Sequence, residues 1–245
     1  MDSSVIQPSG NALEANFQRM VGLSRQQRPP TLEERLARLD RLSAVLAANE
    51  TAFQQAISAD FGHRAAIQTT MAETLLVQGE IRHARKYLRS WMASQRVATQ
   101  PQFWPAKNRL LPQPLGVVGI VAPWNYPLQL TLAPAVAAIA AGNRVMIKPS
   151  ELVPRFAALL KRAVADAFDS SELTVTDIDG NIAEAFAALP FDHLMFTGST
   201  RVGRLVAEAA GRNLTPVTLE LGGKSPAIID RSANLDQAAE RIAYG

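Results

Sequence analysis

No cysteine occurs among the 245 residues, so the chain holds no disulfide, no thiolate zinc ligand and no thiol nucleophile. Histidine is nearly as scarce. His63, His83 and His193 stand far apart and match no metal-ligand spacing, and no metal site is expected. An excess of one charge is also lacking: 25 basic and 22 acidic residues leave a net +3, scattered along the chain. That balance points away from a nucleic-acid or membrane-surface partner. Residues 1–10 are polar, without a basic start or an apolar core, so no signal peptide is read and a cytoplasmic location is expected. Residues 110–143 carry no charge, a run long enough to span a bilayer, but Pro112, Pro114, Pro123, Pro127 and Pro134 interrupt it. A lipid-exposed helix would have to re-satisfy the backbone groups they free, so the run is expected as buried strands and turns.

The common phosphate-binding loops are missing too. No Gly-x-Gly-x-x-Gly occurs. Gly223-Lys224-Ser225 resembles the tail of a P-loop, but Thr218 stands where that loop requires its first glycine.

What is present is a chain with 47% hydrophobic and 19% charged residues, enough for one large domain or two small ones. Residues 1–30 are poor in periodic apolar positions and end in Arg28-Pro29-Pro30, which reads as a partly ordered lead-in tail. Thr31 with Glu34 three positions on is a capping-box signature, and Leu32, Leu36, Leu39, Leu42 and Leu46 continue it as an amphipathic helix. A second helix is expected over about 67–92, with Met71, Leu75, Ile81 and Leu88 on its apolar face. Arg82, Arg85, Lys86 and Arg89 near its end suit the helix dipole.

From about residue 109 short Val/Ile/Leu runs alternate with helical segments. Strands are expected at 117–121, 145–148, 173–176, 193–197, 216–221 and 227–229, and helices at 128–141, 155–168, 181–187 and 201–210. Such alternation predicts an α/β fold, a doubly wound and mostly parallel sheet preceded by a helical segment. Its ligands belong at the carboxyl ends of the strands.

Four segments fall there. Phe196-Thr197-Gly198-Ser199-Thr200-Arg201-Val202-Gly203 runs from a strand end into a helix start, where free N–H groups and the dipole favour an anion; Ser199 is equally an ordinary N-cap. Met146-Ile147-Lys148-Pro149-Ser150-Glu151 can hold a ribose diol between an ammonium and a carboxylate, or form a surface ion pair; the carboxylate would repel a 2′-phosphate. Ala122-Pro123-Trp124-Asn125-Tyr126-Pro127 offers an amide that can donate to a developing oxyanion. In Thr218-Leu219-Glu220-Leu221-Gly222-Gly223-Lys224-Ser225-Pro226 a carboxylate stands among apolar neighbours, and burial there is expected to tune it as a general base.

In this order and spacing the four segments resemble the NAD(P)-dependent aldehyde dehydrogenase family, from about residue 30 to the last. The flanking Asp60-Phe61-Gly62-His63-Arg64 and Leu189-Pro190-Phe191-Asp192-His193-Leu194 look most like its coniferyl aldehyde dehydrogenase branch. The resemblance implies a Rossmann-like cofactor domain and an aldehyde, aromatic or aliphatic, oxidised to its acid through a thiohemiacetal on a cysteine. It implies that Asn125 donates to the oxyanion and that Glu220 is the general base. Lys148, Ser150 and Glu151 would form the adenosine-ribose site, with Gly198, Ser199 and Gly203 at the pyrophosphate. Leu221 would meet the nicotinamide carboxamide through its backbone, and Trp124 would line the cleft. The cofactor implied is NAD, with NADP as the alternative, and the complete enzyme is expected as a homodimer.

The implied organisation is a tail at 1–30, a helical segment at 31–100, an oligomerisation hairpin at 101–115, the NAD-binding domain at 116–221 and the start of a catalytic domain at 222–245. Two departures stand out. Asp177-Ile178-Asp179-Gly180 occupies a place where relatives commonly carry a glycine pair. The family's cysteine follows the glutamate by more residues than the 25 that follow Glu220 here, so this chain is expected to be an N-terminal portion, inactive alone. The alternative reading is a non-catalytic nucleotide-binding or oligomerisation module.

Overall fold

The computed structural model describes residues 8–178 and 182–244. In chain order it contains α1 (Pro8–Gln26), α2 (Leu32–Asp60), α3 (Ala66–Thr69), a π-turn (Thr70–Thr74) and α4 (Leu75–Trp91). A hairpin of β1 (Gln95–Val97) and β2 (Asn108–Leu110) follows. The α/β part is β3 (Val117–Val121), α5 (Pro127–Ala140), β4 (Arg144–Lys148), α6 (Pro154–Ala167), β5 (Leu173–Val175), α7 (Ile182–Ala187), β6 (His193–Gly198), α8 (Thr200–Arg212) and β7 (Val217–Leu221), and α9 (Leu235–Tyr244) ends the described chain.

The predicted doubly wound sheet is present. Its five strands run parallel in the order β5-β4-β3-β6-β7. The chain winds outward from β3 through β4 to β5, then crosses back to β6 beside β3, so the order reverses between β3 and β6. Alternation of side chains at period two divides the apolar residues between two cores. Val118, Ile120, Val145 and Ile147 pack with α2, α4, α5 and α6. Val117, Met146, Leu194 and Phe196 pack with α1, α7 and α8.

Four expectations are corrected. The stretch before residue 30 is not a tail over its described part: Leu13, Phe17 and Met20 lie at helical spacing and are buried. Phe17 meets Phe191 edge-on at 5.0 Å, so α1 closes the second face of the sheet. The helix expected over 67–92 is interrupted by the π-turn, whose extra residue rotates what precedes it by about 100° relative to α4. Ile81 and Leu88 are buried; Met71 in the π-turn points outward, as does Leu75, which stands about 120° round α4 from Ile81, while Glu73 and Thr74 point inward. The strand expected at 227–229 does not form, because its backbone finds no neighbouring strand; Ile228 is 92% exposed. The hairpin draws its first arm from residues 95–97, upstream of 101–115, and pairs antiparallel.

The capping box at α2 forms as read. Thr31 Oγ1 accepts from Glu34 N at 3.2 Å, and Glu34 Oε2 accepts from Thr31 N at 2.6 Å. Hydrogen bonds from Arg28, reinforced by the Thr31 N–H, lower the Glu34 carboxyl from 4.5 to about 2. The sign follows from linkage: a depressed carboxyl contributes stability fully present above the unfolded value and lost as pH falls through the folded one. An NMR titration of Glu34 is therefore expected to show a midpoint near 2, and a midpoint near 4.5 would remove the ion pair from this account.

Among the described residues no helix is long and apolar enough to cross a membrane, and no cluster of His, Asp or Glu could hold a metal ion. The uncharged run at 110–143 is spent on β3, α5 and their turns.

Candidate functional site

The carboxyl ends of β3, β4, β6 and β7 are Val121, Lys148, Gly198 and Leu221. They and the loops that follow them line one cleft of about 1560 Å³ at the point where strand order reverses. Trp124, Asn125, Lys148, Ser150, Glu151, Gly198, Ser199, Glu220 and Leu221 all border it. Nine of the ten residues singled out in the sequence are thus gathered from segments up to about 100 positions apart.

Gly203 is the tenth, and it lies behind the wall. A Cβ there would come within 2.7 Å of Leu221 Cδ2, so the missing side chain lets α8 sit directly against β7. A Cβ on Gly198 would strike the Phe196 ring at 2.6 Å. Ser199 is the N-cap of α8, its Oγ accepting from Val202 N at 3.3 Å. The hydroxyl is thereby committed to the helix, while the first turn still faces the cleft with its dipole.

Lys148 is buried and its Nζ donates to Glu151 Oε2 at 2.6 Å; Glu151 itself is largely exposed. That hydrogen bond holds the Glu151 carboxyl below the usual carboxylate range against its own partial burial. Ser150 is buried and its Oγ accepts from Leu152 N at 3.3 Å, which fixes the turn that carries Glu151.

Glu220 departs from expectation. It borders the cleft, paired in register with Thr197, but it is exposed on the edge strand rather than buried. Leu219 packs toward the core while Glu220, one position on, faces away from it. The apolar neighbours in the sequence are not its neighbours in space. Asp177 of the departing Asp177-Ile178-Asp179-Gly180 segment pairs with Lys161, and residues 179 and 180 lie outside the described residues.

The buried carboxylate of this region is Glu73, which sequence reasoning did not single out. Glu73 is 0% exposed, and its Oε2 accepts from the N–H groups of Leu128 at 2.6 Å and Gln129 at 3.1 Å, the first free donors of α5 behind Pro127. Its Oε1 lies 3.1 Å from Arg64 Nη1, which donates to the Asn125 carbonyl at 2.9 Å. The Arg64 guanidinium lies over the rings of Phe61 and Tyr126, at 5.1 and 4.8 Å. Burial raises the Glu73 carboxyl above its usual range, while the Gln129 N–H, Arg64 and the Leu128 N–H pull it back. The inward-turning π-turn is the only signal for Glu73, and no local pattern predicts it.

Comparison with known proteins places these features in one context. A family model described as the aldehyde dehydrogenase family matches residues 11–245. The coniferyl aldehyde dehydrogenase of a Pseudomonas sp. strain is 44% identical over 233 residues, covering 95% of this chain and 47% of that protein. The substrate-bound AldH of Staphylococcus aureus superposes with a TM-score of 0.86 at 37% identity, covering 95% of this chain and 50% of that one. Succinic semialdehyde dehydrogenase of Streptococcus pyogenes, in complex with NADP+ as the cofactor, gives 0.78 at 25% identity over 94% of this chain and 50% of that one. The chain spans about half the length of the relatives it matches.

Proposed function

From the premise that this chain belongs to the aldehyde dehydrogenase family, we propose that its cleft is the nicotinamide-dinucleotide site of an enzyme that oxidises an aldehyde, of the coniferyl aldehyde type, to the acid. The observation that carries the reading is the meeting of four strand-end loops in one cleft at the reversal of strand order. The residues fit such a cofactor. Gly198 and Gly203 let α8 pack closely on Phe196 and Leu221, α8 turns its positive end to the cleft, and Lys148 with Glu151 offers one donor and one acceptor to a diol. A nicotinamide dinucleotide bound there would supply the hydride acceptor.

The chain's own residues supply the rest. Lys148 and Glu151 bind the ribose, and the Glu151 carboxylate disfavours a 2′-phosphate, which makes NAD the preferred form over NADP. The first turn of α8 would hold the pyrophosphate, and the backbone of Leu221 would orient the carboxamide. Asn125 donates its side-chain N–H to the oxyanion that develops from the aldehyde oxygen. Glu220, exposed at the edge of the cleft, would act as the general base that accepts a proton there. No covalent step is derived from this chain, which contains no cysteine. The same reading pairs two copies through the hairpin; the exposed Val97, Phe103, Trp104, Leu110 and Leu111 support that homodimer contact.

Calorimetric titration of the chain is the test. NAD is expected to bind with a Kd below about 1 mM and NADP more weakly. Absence of NAD heat at several millimolar would overturn the site.

A further inference from the structure

We propose that Arg64, held in place by Glu73, is a positioning residue that aims Asn125 into the cleft. The inference rests on the reading of Asn125 given above and adds a control on it from outside the cleft. Asn125 is exposed, and its backbone carbonyl is the acceptor of Arg64. Without an anchor its loop would be free to turn the amide away from the cleft.

The anchor has three parts. Arg64 Nη1 binds the Asn125 carbonyl, and its guanidinium packs over the rings of Phe61 and Tyr126. Phe61 in turn stands 5.9 Å from the Trp124 ring. Glu73 then ties the next residues, because its carboxylate binds the N–H groups of Leu128 and Gln129 while facing Arg64. One buried ion pair thus grips residues 124 to 129 through a ring, a carbonyl, a second ring and two amides. Neither charge lines the cleft.

A buried pair that served stability alone would be replaceable by two apolar side chains of similar volume, because removing both charges removes both desolvation costs. The positioning role would not survive that exchange, since an apolar side chain cannot hold the Asn125 carbonyl. The two roles therefore separate in the double variant.

The experiment uses the full chain with Trp91→Phe and Trp104→Phe, which leaves Trp124 as the sole tryptophan. Into this background go Arg64→Lys, Arg64→Met and Arg64→Met/Glu73→Met, each read by acrylamide quenching of Trp124, by thermal melting and by NAD titration. Arg64→Met is expected to lower the melting temperature, and the double variant to recover part of that loss, the rest remaining because the Leu128 and Gln129 N–H groups lose their acceptor. Trp124 quenching is expected to rise at least about two-fold in both, because the loop is no longer held. Arg64→Lys, which keeps the charge but not the planar guanidinium over the two rings, is expected to fall between. The NAD Kd should stay within about two-fold throughout, since Lys148, Glu151 and α8 are untouched. Quenching that returns to the parent value in the double variant, or never changes in Arg64→Met, overturns the proposal. If the parent fails to bind NAD, the cofactor reading falls, while the quenching series still decides whether Arg64 holds the loop.

Discussion

Glu73→Ala is expected to destabilise the chain by about 3–5 kcal/mol, the loss typical when one partner of a buried ion pair is removed. The magnitude follows from what is left behind. Arg64, with a side chain only 4% exposed, would keep its charge with the Asn125 carbonyl as its remaining polar partner. The Leu128 and Gln129 N–H groups would lose their acceptor at the start of a buried helix. Glu73→Gln, which retains a carbonyl oxygen for those amides, should cost less, about 1–3 kcal/mol. Urea unfolding of the three proteins checks the order. A loss below about 1 kcal/mol for Glu73→Ala would mean that water replaces the carboxylate and that the site is not sealed.

Lys148→Met is expected to weaken NAD binding by about 10- to 100-fold, the loss of one hydrogen bond from a charged donor. Methionine approximates the length of the stem, so the packing at the end of β4 is largely kept and the effect falls on the ligand. A second consequence is independent of any ligand. Glu151 loses the hydrogen bond that lowers its carboxyl, so its titration should move up toward the ordinary range. Lowered in the parent, Glu151 contributes stability that is present above its unfolded value and lost as pH falls, and that contribution should vanish in the variant. Calorimetry measures the first effect and an NMR titration the second. Unchanged NAD affinity with a shifted Glu151 would take the pair out of the binding site and leave it a structural contact.

Much of the fold was legible because it is coded locally. The Thr31 box, the alternation of Val/Ile runs with helices and the turns after Val121, Lys148 and Gly198 each depend on residues within a few positions of one another. The four site segments were legible for the same reason: each is a strand end plus its loop, and a parallel sheet delivers all such ends to one side. What escaped depended on partners distant in the chain. The apolar stripe of α1 is short, and its value appears only when Phe191 and Phe186 offer it a surface. Met71 and Leu75 are expected on one face with Ile81 and Leu88, but Met71 lies in the π-turn and Leu75, six positions before Ile81 in α4, stands about 120° round the helix from it, so both are outside. Residues 227–229 carry strand-forming side chains and find no strand to pair with.

Glu220 and Glu73 mark the same boundary at the site. Read along the chain, Glu220 sits between two leucines and looked desolvated; in the fold it is the exposed position of an edge strand. Glu73, in an unremarkable Thr-Thr-Met-Ala-Glu-Thr run, is the carboxylate withdrawn from water and set against Arg64. By itself the sequence determined the family, the parallel α/β architecture, the absence of a thiol from these residues and the identity of the loops that meet at the cleft. Only the tertiary structure decided which carboxylate is buried and which arginine holds the asparagine loop. The physical reason is that propensity and periodicity act over a few residues, whereas desolvation and ion pairing are set by whatever the fold packs against a group.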